Sequence, residues 1–208
     1  MTSKYTKGCL AALFFLLSLS ACQQARQEVE DDSNPFLPLE EIVSDQVALL
    51  SIEGPDLQKV VLLADKQDTL VLTAPDSSVW AKELSWFAEA DINDPALHDQ
   101  FTVTEEQTGD KLVKSYKRKN RAENGVMSIQ AHYDAVLDEL QFVDIAYVEA
   151  NAMYDAARDM RLSFGTDDTG ELWLRSFTIK GKQSIIFKEA EEYTVEGRVL
   201  YTEAVKLH

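Results

Sequence analysis

Met127, Ile129, Ala131 and Tyr133 alternate with Ser128, Gln130, His132 and Asp134. A period of two puts alternate side chains on opposite faces, so this stretch predicts a half-buried strand with one wet face. Tyr193, Val195, Gly197, Val199 and Tyr201 repeat the pattern, as do Met160, Leu162 and Phe164. Gly165–Gly170 then turns the chain into Trp173, Phe177 and Ile179, and Gly181-Lys182 turns it again into Ile185 and Phe187. Val60–Ala64 and Leu70–Thr73 flank Asp65–Asp68, which reads as a hairpin. Leu140 and Phe142 share one face, but Val143, Ile145 and Tyr147 switch parity. Such a switch predicts a β-bulge in a bent sheet, or a strand buried on both faces.

One segment has helical spacing. Trp80, Leu84 and Phe87 fall on one face, Asp76 or Ser77 can cap the first turn, and Asn93-Asp94-Pro95 stops it. Asn151–Arg158 is open between a short helix and a loop. The expected fold is α+β and mostly β: a curved antiparallel sheet, open or barrel-like, packed by one amphipathic helix.

The N-terminus has a different pattern. Lys4 and Lys7 precede an apolar run from Cys9 that ends in Leu19-Ser20-Ala21-Cys22. The run is about 13 residues, or roughly 20 Å as a helix, short of the about 20 residues that cross a bilayer core. It reads as a removable signal segment, and its end resembles a bacterial lipobox. That resemblance implies cleavage before Cys22 and acyl lipid on Cys22, with two or more palmitate-type chains giving stable anchoring. Gln23, rather than Asp, after the cysteine favours the outer membrane. The expected organisation is therefore a signal peptide over 1–21, a flexible acidic tether over 22–39, and a single β-rich domain over 40–208. The tether is assigned on its polar, proline-punctuated composition.

Charge and cysteine content narrow the chemistry. The chain carries 36 acidic and 20 basic residues. So acidic a surface excludes nucleic acid as a partner, because phosphate binding rests on Lys and Arg. The two cysteines are Cys9, which leaves with the leader, and Cys22, which takes lipid. No thiol is left for redox, nucleophilic or zinc chemistry.

No catalytic, cofactor or metal residue is assigned. His98, His132 and His208 lack a second histidine at ligand spacing. His132 and Asp134 share a strand face and could form a dyad; a solvated face predicts the same pattern. Asp91–Ala96 starts like a calcium loop but places Pro95 and Ala96 where an oxygen ligand and the turn glycine belong. Asp167–Gly170 could offer oxygens to a cation, but Asp-rich turns of this kind are routine hairpin chemistry. Lys111–Arg121 is a basic island, either a contact patch or a charged edge strand that resists aggregation.

Glu83–Leu97 (ELSWFAEADINDPAL) and Ser176–Ile186 (SFTIKGKQSII), with the lipobox, resemble a group of uncharacterised Gram-negative lipoproteins. The resemblance runs from about Trp80 onward. It implies an envelope location and an antiparallel fold, and it transfers no site residue. The expected function is a non-enzymatic, membrane-anchored binding or assembly module, with a groove for an apolar ligand as one form. Its partners would be the membrane, through Cys22, and an envelope protein or apolar ligand. A structural envelope protein and a carboxylate-dependent glycan hydrolase are the alternatives.

Overall fold

The computed structural model describes residues 36–121, 124–167, 169–186 and 189–201. The expected signal segment, Cys22, the expected tether up to residue 35 and His208 lie outside them.

The described chain begins inside the body rather than on a tether. Phe36, Leu37 and Leu39 are all buried. Phe36 meets Phe101 and Tyr116 edge-on at ring distances of 5.9 and 5.7 Å. Three large apolar side chains in four residues bury enough surface to offset the cost of ordering the backbone. The expected end of the tether at Leu39 is therefore corrected: Phe36 already belongs to the fold.

Helix α1 follows, Leu39–Glu53, and is a second helix beyond the single one expected. Glu40 and Glu41 place negative charge at its positive end. Gly54 closes it at φ +62°, a left-handed conformation that favours glycine, and donates its N–H to the Leu50 carbonyl at 3.0 Å.

Strands β1 (Asp56–Leu63) and β2 (Lys66–Leu72) form the expected hairpin. Pairing continues to Leu63 opposite Lys66, so Ala64 and Asp65 make the turn rather than Asp65–Asp68. Ala64 has φ +50°. Positive φ in a two-residue turn matches the twist of the flanking strands.

Helix α2, Ser77–Ala88, is where the sequence predicts it. Asp76 Oδ1 accepts from the Ser78 and Val79 N–H groups at 2.9 and 3.0 Å. Trp80, Leu84 and Phe87 are buried. A short 3₁₀ helix, Pro95–Gln100, comes next, with Asp94 capping the Ala96 N–H. The calcium-like Asp91–Asn93 stretch is a clamp between segments. Asp91 Oδ2 accepts from the Glu40 N–H at 2.9 Å, and Asn93 bonds both Phe36 N–H and Leu37 carbonyl.

Seven further strands follow: β3 (Phe101–Thr108), β4 (Lys111–Arg118), β5 (Gly125–Asp134), β6 (Glu139–Asn151), β7 (Tyr154–Thr166), β8 (Leu172–Ile185) and β9 (Glu191–Leu200). All nine form one antiparallel sheet in the order β2-β1-β9-β8-β7-β6-β5-β4-β3. The sheet is open rather than barrel-like, with β2 and β3 as its edges. Both edges are mostly exposed and rich in polar residues, which keeps their free backbone groups solvated. Asn151–Arg158 is neither helix nor loop: it ends β6 and begins β7 around a turn at Ala152 and Met153.

The parity switch in β6 is a bulge. His132 pairs with Phe142 and Tyr133 with Leu140, leaving Gln141 unpaired. Leu140 and Val143 can thus both face the core. Register shifts likewise set an extra residue into β5 at Met127 and into β8 at Arg175. An extra residue at each point bends the strand.

One face of the sheet holds the apolar residues and carries the helices. Phe87 of α2 meets Phe177 of β8 at 6.1 Å, and Lys59 of β1 forms an ion pair with Glu83 of α2 at 2.6 Å. The opposite face is polar, and no helix among the described residues covers it.

Candidate functional site

The polar face acquires its shape from strand register. Gln130, Asp144, Arg161 and Thr178 stand side by side on β5, β6, β7 and β8. Ser128, Ala146, Asp159 and Lys180 form the next row. Together these residues line an open groove of about 450 Å³. The short side chains of Ser128 and Ala146 sit among the longer Gln130, Arg161 and Lys180, which leaves the depression.

One wall is held rigidly. Arg161 donates to Asp144 through Nε at 2.6 Å and Nη2 at 2.7 Å. Two parallel charge-assisted bonds fix the planes of both groups. The Arg161 guanidinium also lies 4.6 Å from the Phe142 ring centre. His132 stacks on the same ring at 4.1 Å, 17° from parallel. Its Nε2 is 3.7 Å from Asp144 Oδ2, too far for a hydrogen bond. It has no hydrogen-bond partner among the described residues. Burial pushes the His132 imidazole below its ordinary pKa, the charge on Arg161 adds to this, and Asp144 opposes it. The Asp144 bond moves Arg161 the other way, upward.

His132 therefore packs behind the Asp144–Arg161 pair, beside the groove lining rather than in it, and the dyad with Asp134 does not form. Asp134 accepts from the Val136 and Leu137 N–H groups and caps the next turn. The carboxylate beside His132 is Asp144, from the neighbouring strand. His98 lies elsewhere, with Nε2 3.1 Å from the Asn93 carbonyl and its ring edge-on to Phe36. Asp167 accepts from the Thr169 hydroxyl and from the Thr169 and Glu171 N–H groups, as expected of a turn. Those bonds hold its carboxyl below the usual range, the Thr169 hydroxyl most strongly.

The basic island does not form one surface. Alternation along β4 sends its side chains to both faces. Arg118 is buried, bonds the Val126 carbonyl at 2.7 Å and lies 4.9 Å from the Phe101 ring centre. Lys114 lies over Tyr133, and Lys119 bonds the Asp99 carbonyl. Lys117 and Arg121 stay exposed beside Met127 and Ser128.

Asp144, Arg161, Gln130 and Lys180 carry no motif in the sequence. Their one signal is position: each occupies an outward place on a strand, and register brings them together. Among the described residues, no three His, Cys, Asp or Glu side chains gather as a metal site, and no helix is long and apolar enough to cross a membrane. Compared with known protein families, curated proteins and solved structures, the chain matches none.

Proposed function

We propose that this protein is a lipid-anchored envelope module that binds a ligand without transforming it, using the polar face of its sheet. The observation that carries this reading is the groove lined by Gln130, Asp144, Arg161 and Lys180, in which the Asp144–Arg161 pair is already held in place. Its donors and acceptors are fixed before any ligand arrives, which reduces the ordering cost of binding. The contact is polar rather than apolar. Trp80, Leu84 and Phe87 already occupy the apolar face, whereas the groove offers Gln130, Thr178, Asp159 and Lys180. Glycan hydrolysis is disfavoured because two carboxylates must act together. Asp144 commits both oxygens to Arg161, which leaves Asp159 as the unengaged carboxylate in the groove lining.

The anchor is read from Leu19–Cys22, and the outer membrane from Gln23. Two experiments test the parts separately. Labelled palmitate should enter the wild-type chain in a Gram-negative host and not Cys22→Ser; equal labelling would end the anchoring reading. A photo-crosslinking residue at Gln130 or Thr178 should capture envelope material that the same residue at Glu106, on edge strand β3, does not. Equal capture at all three positions would end the groove reading.

A further inference from the structure

Arg158 faces the apolar side of β7, in line with Ala156, Met160 and Leu162. It sits between Tyr147 of β6 and Gly181 of β8. Its guanidinium carbon lies 4.5 Å from the Trp86 ring centre and 5.4 Å from that of Tyr147. Its Nε donates to the Tyr193 hydroxyl at 3.3 Å. Trp86 in turn meets Tyr193 edge-on at 6.5 Å. Residues from α2, β6 and β9 thus converge on one cation of β7.

Gly181 makes the arrangement possible. A Cβ there would stand 2.1 Å from Tyr193 Cζ and 2.4 Å from its hydroxyl oxygen. Only a residue without a side chain lets Tyr193 lie across β8 and reach Arg158.

Guanidinium has five N–H donors. Nε meets Tyr193, and among the described residues the four Nη donors have no acceptor and no carboxylate lies within ion-pair range. Arg161 on the opposite face shows the contrast, since Asp144 fills its fork. Packing of α2 against the sheet accounts for the stacking of Arg158 but leaves that fork empty. A guanidinium held close to two aromatic rings, with its Nη donors open, can receive two oxygens of one anion. Trp86 is 37% exposed, so the cluster opens to solvent at the last turn of α2.

We propose that Arg158, Trp86, Tyr147 and Tyr193 form an oxyanion-binding site for an amphipathic ligand. A carboxylate or phosphate group would pair with the Nη donors of Arg158, and the apolar body of the ligand would lie against Trp86 and Tyr147. This site is on the helix side of the sheet and is separate from the polar groove.

Trp80 and Trp173 are buried, so Trp86 is the tryptophan whose fluorescence should respond. The test titrates the purified full-length chain with octanoate in one arm and inorganic phosphate in the other. A saturable change in either arm is expected, and the tighter arm identifies the oxyanion. Arg158→Lys keeps the charge but not the fork, and should weaken binding about tenfold or more. Tyr193→Phe keeps the ring, frees Nε, and should also weaken it. Lys66→Gln, on edge strand β2, which supplies no residue to either site, should bind like the wild type. No saturation in either arm would overturn the proposal. So would wild-type binding by folded Arg158→Lys and Tyr193→Phe, with circular dichroism verifying the fold.

Discussion

Gln46 of α1 accepts a hydrogen bond from the Leu174 backbone N–H at 2.6 Å. Its Nε2 donates to the Leu172 carbonyl at 2.8 Å. The pairing of β8 with β9 stops at Ser176 opposite Arg198, so Leu172–Leu174 run on without that neighbour. One carboxamide stands in for a strand residue, presenting an acceptor and a donor to backbone groups two residues apart. The Tyr201 hydroxyl adds a bond to the Leu174 carbonyl at 2.5 Å.

Gln46 is 5% exposed, so replacing it leaves buried backbone groups without partners. An unsatisfied buried donor or acceptor costs about 1–3 kcal/mol. Gln46→Leu should therefore lose about 2 kcal/mol or more of stability, although it adds apolar surface. Urea denaturation gives the value. A variant as stable as the wild type would mean that water satisfies the Leu172 and Leu174 groups.

The same residue explains why α1 was hidden in the sequence. Its buried side chains are Leu39, Val43, Gln46 and Leu50, and the amide interrupts the apolar stripe. The acidic composition before Phe36 gives no local sign that Phe36, Leu37 and Leu39 are buried. Helix α2 was legible because Trp80, Leu84 and Phe87 are uninterrupted and Asp76 caps them. The bulge at Gln141 was legible because a parity switch needs only local sequence. The groove was not. Gln130, Asp144, Arg161 and Thr178 are far apart along the chain, and their row exists only once three strand pairings are set.

Gly197 lies directly opposite Phe177, and a Cβ at Gly197 would fall 2.2 Å from Phe177 Cε1. Phe177 is 1% exposed and packs on Phe87, so its ring has no free space to enter. Gly197→Ala should cost about 1–3 kcal/mol through overpacking. Each kcal/mol corresponds to about 2–4 °C in Tm for a domain of this size. Adding Phe177→Leu to Gly197→Ala should recover part of the loss, because the two side chains share one clash. Additive losses in the thermal melts would refute that account.

The Asp144–Arg161 pair should behave differently from Gln46. The two side chains are 31% and 51% exposed, and surface pairs contribute about 0–1 kcal/mol. Arg161→Met should thus leave the urea midpoint nearly unchanged while abolishing crosslinking from Gln130 in the groove. A large loss of stability would reassign the pair from recognition to folding.

His132 predicts how stability depends on pH. Its imidazole lies below the ordinary value of 6.5 in the folded chain, chiefly through burial. Asp144 and Arg161 are the charged groups that face it, and their effects oppose each other. Below pH 6.5 the unfolded chain takes up a proton that the folded chain resists, so the unfolded state gains. The contribution of the neutral ring is fully present above pH 6.5, declines as pH falls through the lowered value, and flattens below it. Asp76 and Asp167 act in a separate window. Both are held below 3.8, so their contributions are present above 3.8 and are lost as pH falls further. Comparing urea midpoints for the wild type and His132→Asn from about pH 7.5 to 4.5 isolates the histidine. The wild type should lose more stability over that range than the variant does. Parallel curves would show that the proton is accommodated between Phe142 and Asp144 without cost.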